Sequence, residues 1–327
     1  MRSLSSAASA SIRLGTIALA LALVPAHAQT FPTKAIRLVV PNASGGNADL
    51  VARMAAEGMS RELSHQVFVD NRAGGRQIPA TRFVTSSTPD GHTLLAVGLG
   101  YAVNAGLYND LPYDSIKDLT PVGMVGETPQ LVVSAPSFPP NNIKELIALA
   151  KAKPNSIHYS SAGLASTNHL GGELLNTLAS IQMVHVPYKA TAQANTDTMS
   201  GIVQLSMAAP SSVVPLIKSG KLKALGISSS KRSAQFPDIP TVSETVPGYE
   251  LTLWNGISAP AATPKSAIAR LNTALYKGIS SPDIKERLFK AGVDVNPLTP
   301  EEMAIYVEAD IKKWAKVVRE AGIQGER

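Results

Sequence analysis

Two stretches of this 327-residue chain gather small polar residues of the kind that hold an anion. The first is Pro41-Asn-Ala-Ser-Gly-Gly-Asn-Ala-Asp49, directly after the apolar run Ile36-Arg-Leu-Val-Val40. The second is Tyr159-Ser-Ser-Ala-Gly-Leu-Ala-Ser-Thr-Asn-His169. Gly45 and Gly46 let the backbone turn tightly and come close to a ligand. A helix starting at the end of such a loop offers free N–H groups and a positive partial charge. Carboxylates bind there without a lysine or arginine. The candidate contacts are Asn42, Ser44, Gly45, Gly46, Asn47 and Asp49 in the first loop. In the second they are Ser161, Ala162, Gly163, Ser166 and Thr167. A third element, Val186-Pro-Tyr-Lys-Ala190, adds Lys189. Asn47 or Asp49 equally suits a plain helix cap, and Lys189 a solvated face.

Other chemistries find little support. With no cysteine there is no disulfide scaffold, thiolate zinc site or cysteine nucleophile. No G-x-S-x-G elbow or Walker A run is present, and Gly98-Leu-Gly100 is followed by Val103, so it fails G-x-G-x-x-G. His169 and Glu173 are one helical turn apart, but two ligands are too few for a metal. His169 better suits hydrogen bonding at a helix start. No metal and no cofactor are expected. Aromatics are 5% of the residues and the basic residues are scattered, which argues against nucleic acid.

The N-terminus reads as an address. Arg2 and Arg13 flank a serine-rich start, and residues 14–24 form an apolar run ending in Pro25-Ala-His-Ala28. That run is short of the ~20 residues that span a bilayer, and Ala26-x-Ala28 suits signal peptidase. Cleavage near Ala28 would leave an exported, periplasmic protein, and removing Arg2 and Arg13 takes the net charge from +6 to +4.

The loops sit within alternating strands and helices. Strands are expected at 36–40, 66–69 and 93–97, with helices at 49–63 and 79–86 between them. Leu50, Met54 and Ala55 are placed on one face of the first helix. The pattern restarts with strands at 130–134, 157–160, 183–186, 203–207 and 224–227, and helices at 143–152, 169–178 and 190–200. Such alternation predicts βαβ units and a mostly parallel sheet in each of two domains. Residues 251–259 read as a return segment. In the last helix Thr299, Pro300 and Glu302 form a capping box, ahead of a stripe of Met303, Val307, Ile311, Trp314 and Val318.

In order along the chain, these segments resemble the Bug (Bordetella uptake gene) receptors, the extracytoplasmic substrate-binding proteins of tripartite tricarboxylate transporters. The resemblance is carried by 36–41 leading into Ser44-Gly-Gly-Asn-Ala-Asp49, Asn71-Arg72, Pro89-Asp-Gly-His-Thr-Leu-Leu95 and 159–169. It continues through Val186-Pro-Tyr-Lys189, Gly220-Lys-Leu-Lys-Ala-Leu-Gly226, Phe236-Pro-Asp-Ile-Pro-Thr-Val242 and Trp254-Asn-Gly256. It implies a type II periplasmic-binding-protein fold, with two α/β domains around a ligand cleft. The division would be a signal peptide at 1–28, one domain from 29–128 and 252–327, and a second at 129–251. It further implies a monomer without enzymatic activity that binds a small organic carboxylate and delivers it to membrane permease subunits. Departures are Asn42, where an aromatic is usual, Ala190, where glycine is usual, and Ala73-Gly-Gly-Arg-Gln-Ile-Pro79, where the family has proline and three glycines. The alternatives are a ligand-sensing receptor for a membrane signalling partner, or a hydrolase using Ser161 or Ser166 with His169.

Overall fold

A computed structural model of the protein describes residues 31–188 and 191–325. The expectations for 1–28 and for Lys189 fall outside the described residues. The chain runs β1 (Ile36–Val40), α1 (Asn47–Leu63), β2 (Val67–Asn71), α2 (Ile78–Thr85), β3 (Thr93–Gly98), α3 (Leu99–Leu107) and β4 (Leu119–Pro129). Next come β5 (Leu131–Ser134), α4 (Ile143–Ala152), β6 (His158–Ser161), α5 (Thr167–Ala179), β7 (Val184–Pro187), α6 (Thr191–Ser200), β8 (Leu205–Ala208), α7 (Pro210–Lys218) and β9 (Lys223–Ile227). It closes with β10 (Thr252–Pro260), α8 (Lys265–Ser280), α9 (Pro282–Lys290), β11 (Asp294–Val295) and α10 (Pro300–Glu320).

Two sheets result. One has the order β11-β4-β10-β3-β1-β2, the other β7-β6-β8-β5-β9. Every strand from β5 to β9 lies in the second sheet, and the chain crosses between the two only around Gln130 and Leu251. The sheets are mixed rather than mostly parallel. β1 pairs parallel with β2 and β3, but β10 runs antiparallel to β3 and β4, and β5 antiparallel to β8 and β9. The cause is the crossing. Strands reached through a crossover helix return parallel, whereas β5 and β10 enter directly from the other unit and arrive from the opposite end.

The crossing chains are tied to each other. Ser228 N–H donates to the Gln130 carbonyl (2.9 Å), and Leu251 N–H donates to the Ser228 carbonyl (2.9 Å). The buried Ser228 hydroxyl donates to the Leu251 carbonyl (2.5 Å) and accepts from Gln130 N–H (2.7 Å). Beside them α10 packs on β10. Asp310 is buried and accepts from the indole N–H groups of Trp254 (2.8 Å) and Trp314 (2.9 Å), while Lys313 Nζ lies 2.7 Å away. The Thr299–Glu302 capping box is present in both directions. Met303, Ile311, Trp314 and Val318 are buried on the inner face, and Val307 packs partly buried against them.

On the other face of the six-stranded sheet, α1 buries Val51, Met54, Ala55 and Met59. Leu50, placed on that stripe from sequence, is instead 48% exposed. Met54 and Ala55 are buried as placed, and Val51, one turn before Ala55, takes the inward position assigned to Leu50. α1 crosses α8 at Gly58 and Gly278, where a Cβ on Gly58 would lie 2.7 Å from the Gly278 backbone. Gly58→Ala overpacks this crossing and should cost about 1–3 kcal/mol in urea unfolding, with the folded spectrum unchanged.

Candidate functional site

The first loop is built around one carboxylate. Asp49 is 1% exposed and lies in the first turn of α1. Its Oδ2 accepts from Gly45 N–H (2.8 Å), Arg53 Nε (3.0 Å) and the Ser44 hydroxyl (3.3 Å), and its Oδ1 from Asn71 Nδ2 (2.8 Å). Burial alone would raise its pKa. Hydrogen bonds from Arg53, Gly45 and Asn71, with the Arg53 charge, overcome that and hold it down at about 2. Asn71 also donates to the Asn42 carbonyl (3.1 Å), and Arg53 Nη2 donates to Asn71 Oδ1 (2.9 Å), so the end of β2 braces the turn after β1.

Since Asp49 faces inward, it does not cap α1. The N-cap is Gly46, whose lack of a side-chain oxygen leaves the first turn uncapped. Gly46, Asn47 and Ala48 line a hollow of about 240 Å³ with Asn42, Gln77, residues 96–100 and residues 253–257. A second hollow of about 310 Å³ shares Asn42, Gln77, Leu99, Gly100 and Leu253 with it. Its other walls are Arg76, Val103, Asn104, Ala165, Thr167 and Leu170. The two form one cleft between the units. It collects the start of α1 at Gly46–Asn47, of α2 at Gln77, of α3 at Leu99 and of α5 at Thr167. Among the described lining residues there is no carboxylate, and Arg76 is the one charged side chain. Positive helix ends without a competing acid make an environment suited to an anion.

Of the candidates from sequence, Asn42, Gly46, Asn47 and Thr167 line this cleft. The exposed Ser44 and Gly45 and the buried Asp49 are engaged with each other and do not line it. In the second loop Ser166 caps α5, accepting from His169 N–H, and its hydroxyl donates to the Gly163 carbonyl (2.7 Å). Ser161 is buried, and Gly163 N–H donates to its hydroxyl oxygen (3.1 Å). Ala162 is exposed at the loop surface. Gly163, Ser161 and Ser166 thus shape the second loop as Asp49 shapes the first.

The serine–histidine pairing also differs from the one weighed in sequence. Ser161 Oγ lies 2.5 Å from His185 Nε2, not against His169. His169 Nδ1 accepts the Ala165 N–H (3.0 Å), the hydrogen bond expected of a histidine at a helix start. The two imidazoles stack with centroids 3.8 Å apart. Burial, then the neighbouring His185, pushes His169 down to about 4, and burial lowers His185 as well. Glu173 lies 3.8 Å from His169 Nε2, but the Tyr159 hydroxyl donates to that same oxygen (2.5 Å), and its charge does not offset the burial.

A larger hollow, about 760 Å³, lies by the crossing chains. It is lined by Glu127, Glu250 and Asp294 as well as Lys231, Arg232 and Lys285. Its acids and bases are equal in number and no helix start opens on it, so size alone does not mark the site.

Residues 51–323 match the family model described as tripartite tricarboxylate transporter family receptor. The chain belongs to this family. Among the relatives of this receptor, Protein BugT of Bordetella pertussis is 34% identical over 303 residues, covering 91% of this chain and 92% of its own. An R. palustris protein solved with adipate is 32% identical with a TM-score of 0.72, over 90% of this chain and 99% of its own. MatC from Rhodopseudomonas palustris with bound malate is 31% identical with a TM-score of 0.69, over 88% of this chain and 100% of its own. The receptor therefore has the two-unit periplasmic-binding-protein fold expected from its motifs.

Sequence reasoning missed the contributions of Arg76, Gln77, Leu99, Gly100 and Leu253. The signal for Arg76 and Gln77 was present, as the departure from glycine in 73–79. The α3 start was hidden because Gly98-Leu-Gly100 was tested only as a nucleotide motif. Gly98 serves close packing, since a Cβ there would lie 2.6 Å from the Trp254 carbonyl oxygen.

The stacked histidines predict a pH response. With His169 at about 4 when folded and near 6.5 when unfolded, the unfolded chain takes up the proton first as pH falls. This part of the stability is complete above pH 6.5 and is lost progressively down to about pH 4. Unfolding free energy measured from pH 7 to 4.5 should decline, and His169→Gln/His185→Gln should flatten that slope.

Proposed function

We propose that this receptor captures a small organic carboxylate in the cleft between its two units and presents it to membrane permease subunits. The observation that carries the proposal is the convergence of four helix starts on a cleft lined by no acid among the described residues. A carboxylate there exchanges water for fixed N–H donors, at little reorganisation cost because the loops are already braced. The relatives solved with adipate and malate support the same ligand chemistry. The two units, 29–128 with 252–327 and 129–251, act as the closing halves, with the Ser228-linked crossing chains as their hinge. The protein works as a monomer in the periplasm and performs no covalent chemistry. Ser161, buried and bonded to His185, gives loop 161–167 its shape rather than attacking a substrate.

A ligand that binds only the folded protein adds about 2.7 kcal/mol at a hundredfold excess over its Kd. A thermal-shift panel of mono-, di- and tricarboxylates, sugars and amines should therefore give hits among the acids alone; hits confined to sugars or cations would refute the reading. Asp49→Asn removes the charge that organises the first loop. It should lower stability by about 1–3 kcal/mol and weaken binding of every acid that hits.

Export predicts that the mature chain begins at or near Gln29. Intact mass of periplasmic material checks this, and retention of Met1 would refute it.

A further inference from the structure

The loop between β2 and α2 carries an unusual backbone. Gly74, Gly75, Arg76 and Gln77 all have positive φ, at 109°, 50°, 48° and 72°. Glycine adopts this region freely, but a side chain there is strained. Two consecutive strained residues persist only where their surroundings over-determine them. Those surroundings are visible: the buried Asn104 donates through Nδ2 to the Arg76 carbonyl (2.5 Å), the Thr81 hydroxyl donates to the Gln77 carbonyl (3.0 Å), and Gln77 N–H donates to the Gly74 carbonyl (3.1 Å). Gln77 reaches across to α3, where its side-chain amide would lie 2.9 Å from a Cβ on Gly100. Arg76 and Gln77 both line the cleft.

The charge balance adds a second, independent observation. The other arginines near the binding face are committed to carboxylates: Arg53 to Asp49 (3.0 Å), and Arg72 to Asp70 (3.0 Å). Arg76 is exposed and has no ion pair among the described residues. It is also the single charged group on the described walls. Helix starts suffice for one carboxylate; an unpaired guanidinium beside the α2 start, in the hollow that does not include Gly46 and Asn47, suits a second, through paired N–H···O bonds.

We propose that Arg76 is a specificity-determining residue that selects ligands with two acidic groups, one held by the helix starts and one by its guanidinium. Gln77 supports it as a neutral donor at the junction of the two hollows. This rests on the carboxylate reading above and names the ligand class within it.

The test compares binding by isothermal calorimetry of malonate, succinate, malate, glutarate and adipate with that of the monomethyl esters of the same diacids. The proteins are the wild type, Arg76→Gln, which removes the charge, and Arg76→Lys, which keeps it. Wild type should bind at least one diacid tenfold or more tighter than its monoester. R76Q should lose that tenfold preference while holding the monoester as before, and R76K should recover part of it. Salt should weaken the diacid more in wild type than in R76Q. If R76Q weakens diacid and monoester equally, or neither, Arg76 does not read the second acid and the proposal fails while the carboxylate site stands. If wild type binds none of these acids, both readings fall.

Discussion

Everything the cleft does depends on a carboxylate that faces away from it. Asp49, itself buried, gathers a glycine N–H, a serine hydroxyl, an asparagine amide and an arginine into one cluster. The turn after β1 is thereby fixed before any ligand arrives. Since Asp49 is spent inward, the start of α1 is left with an uncapped glycine, and its N–H groups remain available to the cleft. An acid thus prepares a site for an acid without adding negative charge to its walls, since Arg53 neutralises it on the far side. The second loop repeats the arrangement in neutral form, with Ser161, Ser166 and two stacked imidazoles.

The same economy governs the framework. Closure of two halves on a ligand needs rigid halves and a compliant link. The unit around the six-stranded sheet is closely tied: α1 and α8 meet at paired glycines, and α10 is pinned to β10 by Asp310 between two indoles. Between the units run two chain crossings joined by Ser228, with α10 packed against α5 and Ser233 and Gln235 donating to Asp294 beside them.

The proposed binding of an anion mainly by helix ends has a consequence for selectivity. Backbone N–H groups recognise a carboxylate but are indifferent to what it is attached to. Discrimination falls to the remaining walls, and these are largely apolar or amide-bearing: Leu99, Val103, Leu253 and Trp254 beside Asn42, Gln77 and Asn104. A charged group on such a wall stands out, and the strained backbone beneath Arg76 shows that its placement is maintained against local preference.

Much of this protein was legible in its residues. The strand-loop-helix rhythm, the capping box at Thr299 and Glu302, and the two small-residue loops follow from local rules of propensity, capping and glycine freedom. Those rules act within a few residues, so one sequence carries them. The sheet order, the antiparallel entry of β5 and β10, and the inward turn of Asp49 did not follow. Each depends on partners distant in sequence: β10 pairs with β4 across more than a hundred residues, and Asn71 reaches Asp49 from the next strand. Nor could the sequence separate residues that line the cleft from those that hold its loops, because Ser44 and Thr167 offer the same hydroxyl. Tertiary packing decided that, by engaging one set of donors with internal acceptors such as Asp49 and leaving the helix starts at Gly46, Gln77, Leu99 and Thr167 to face a common space.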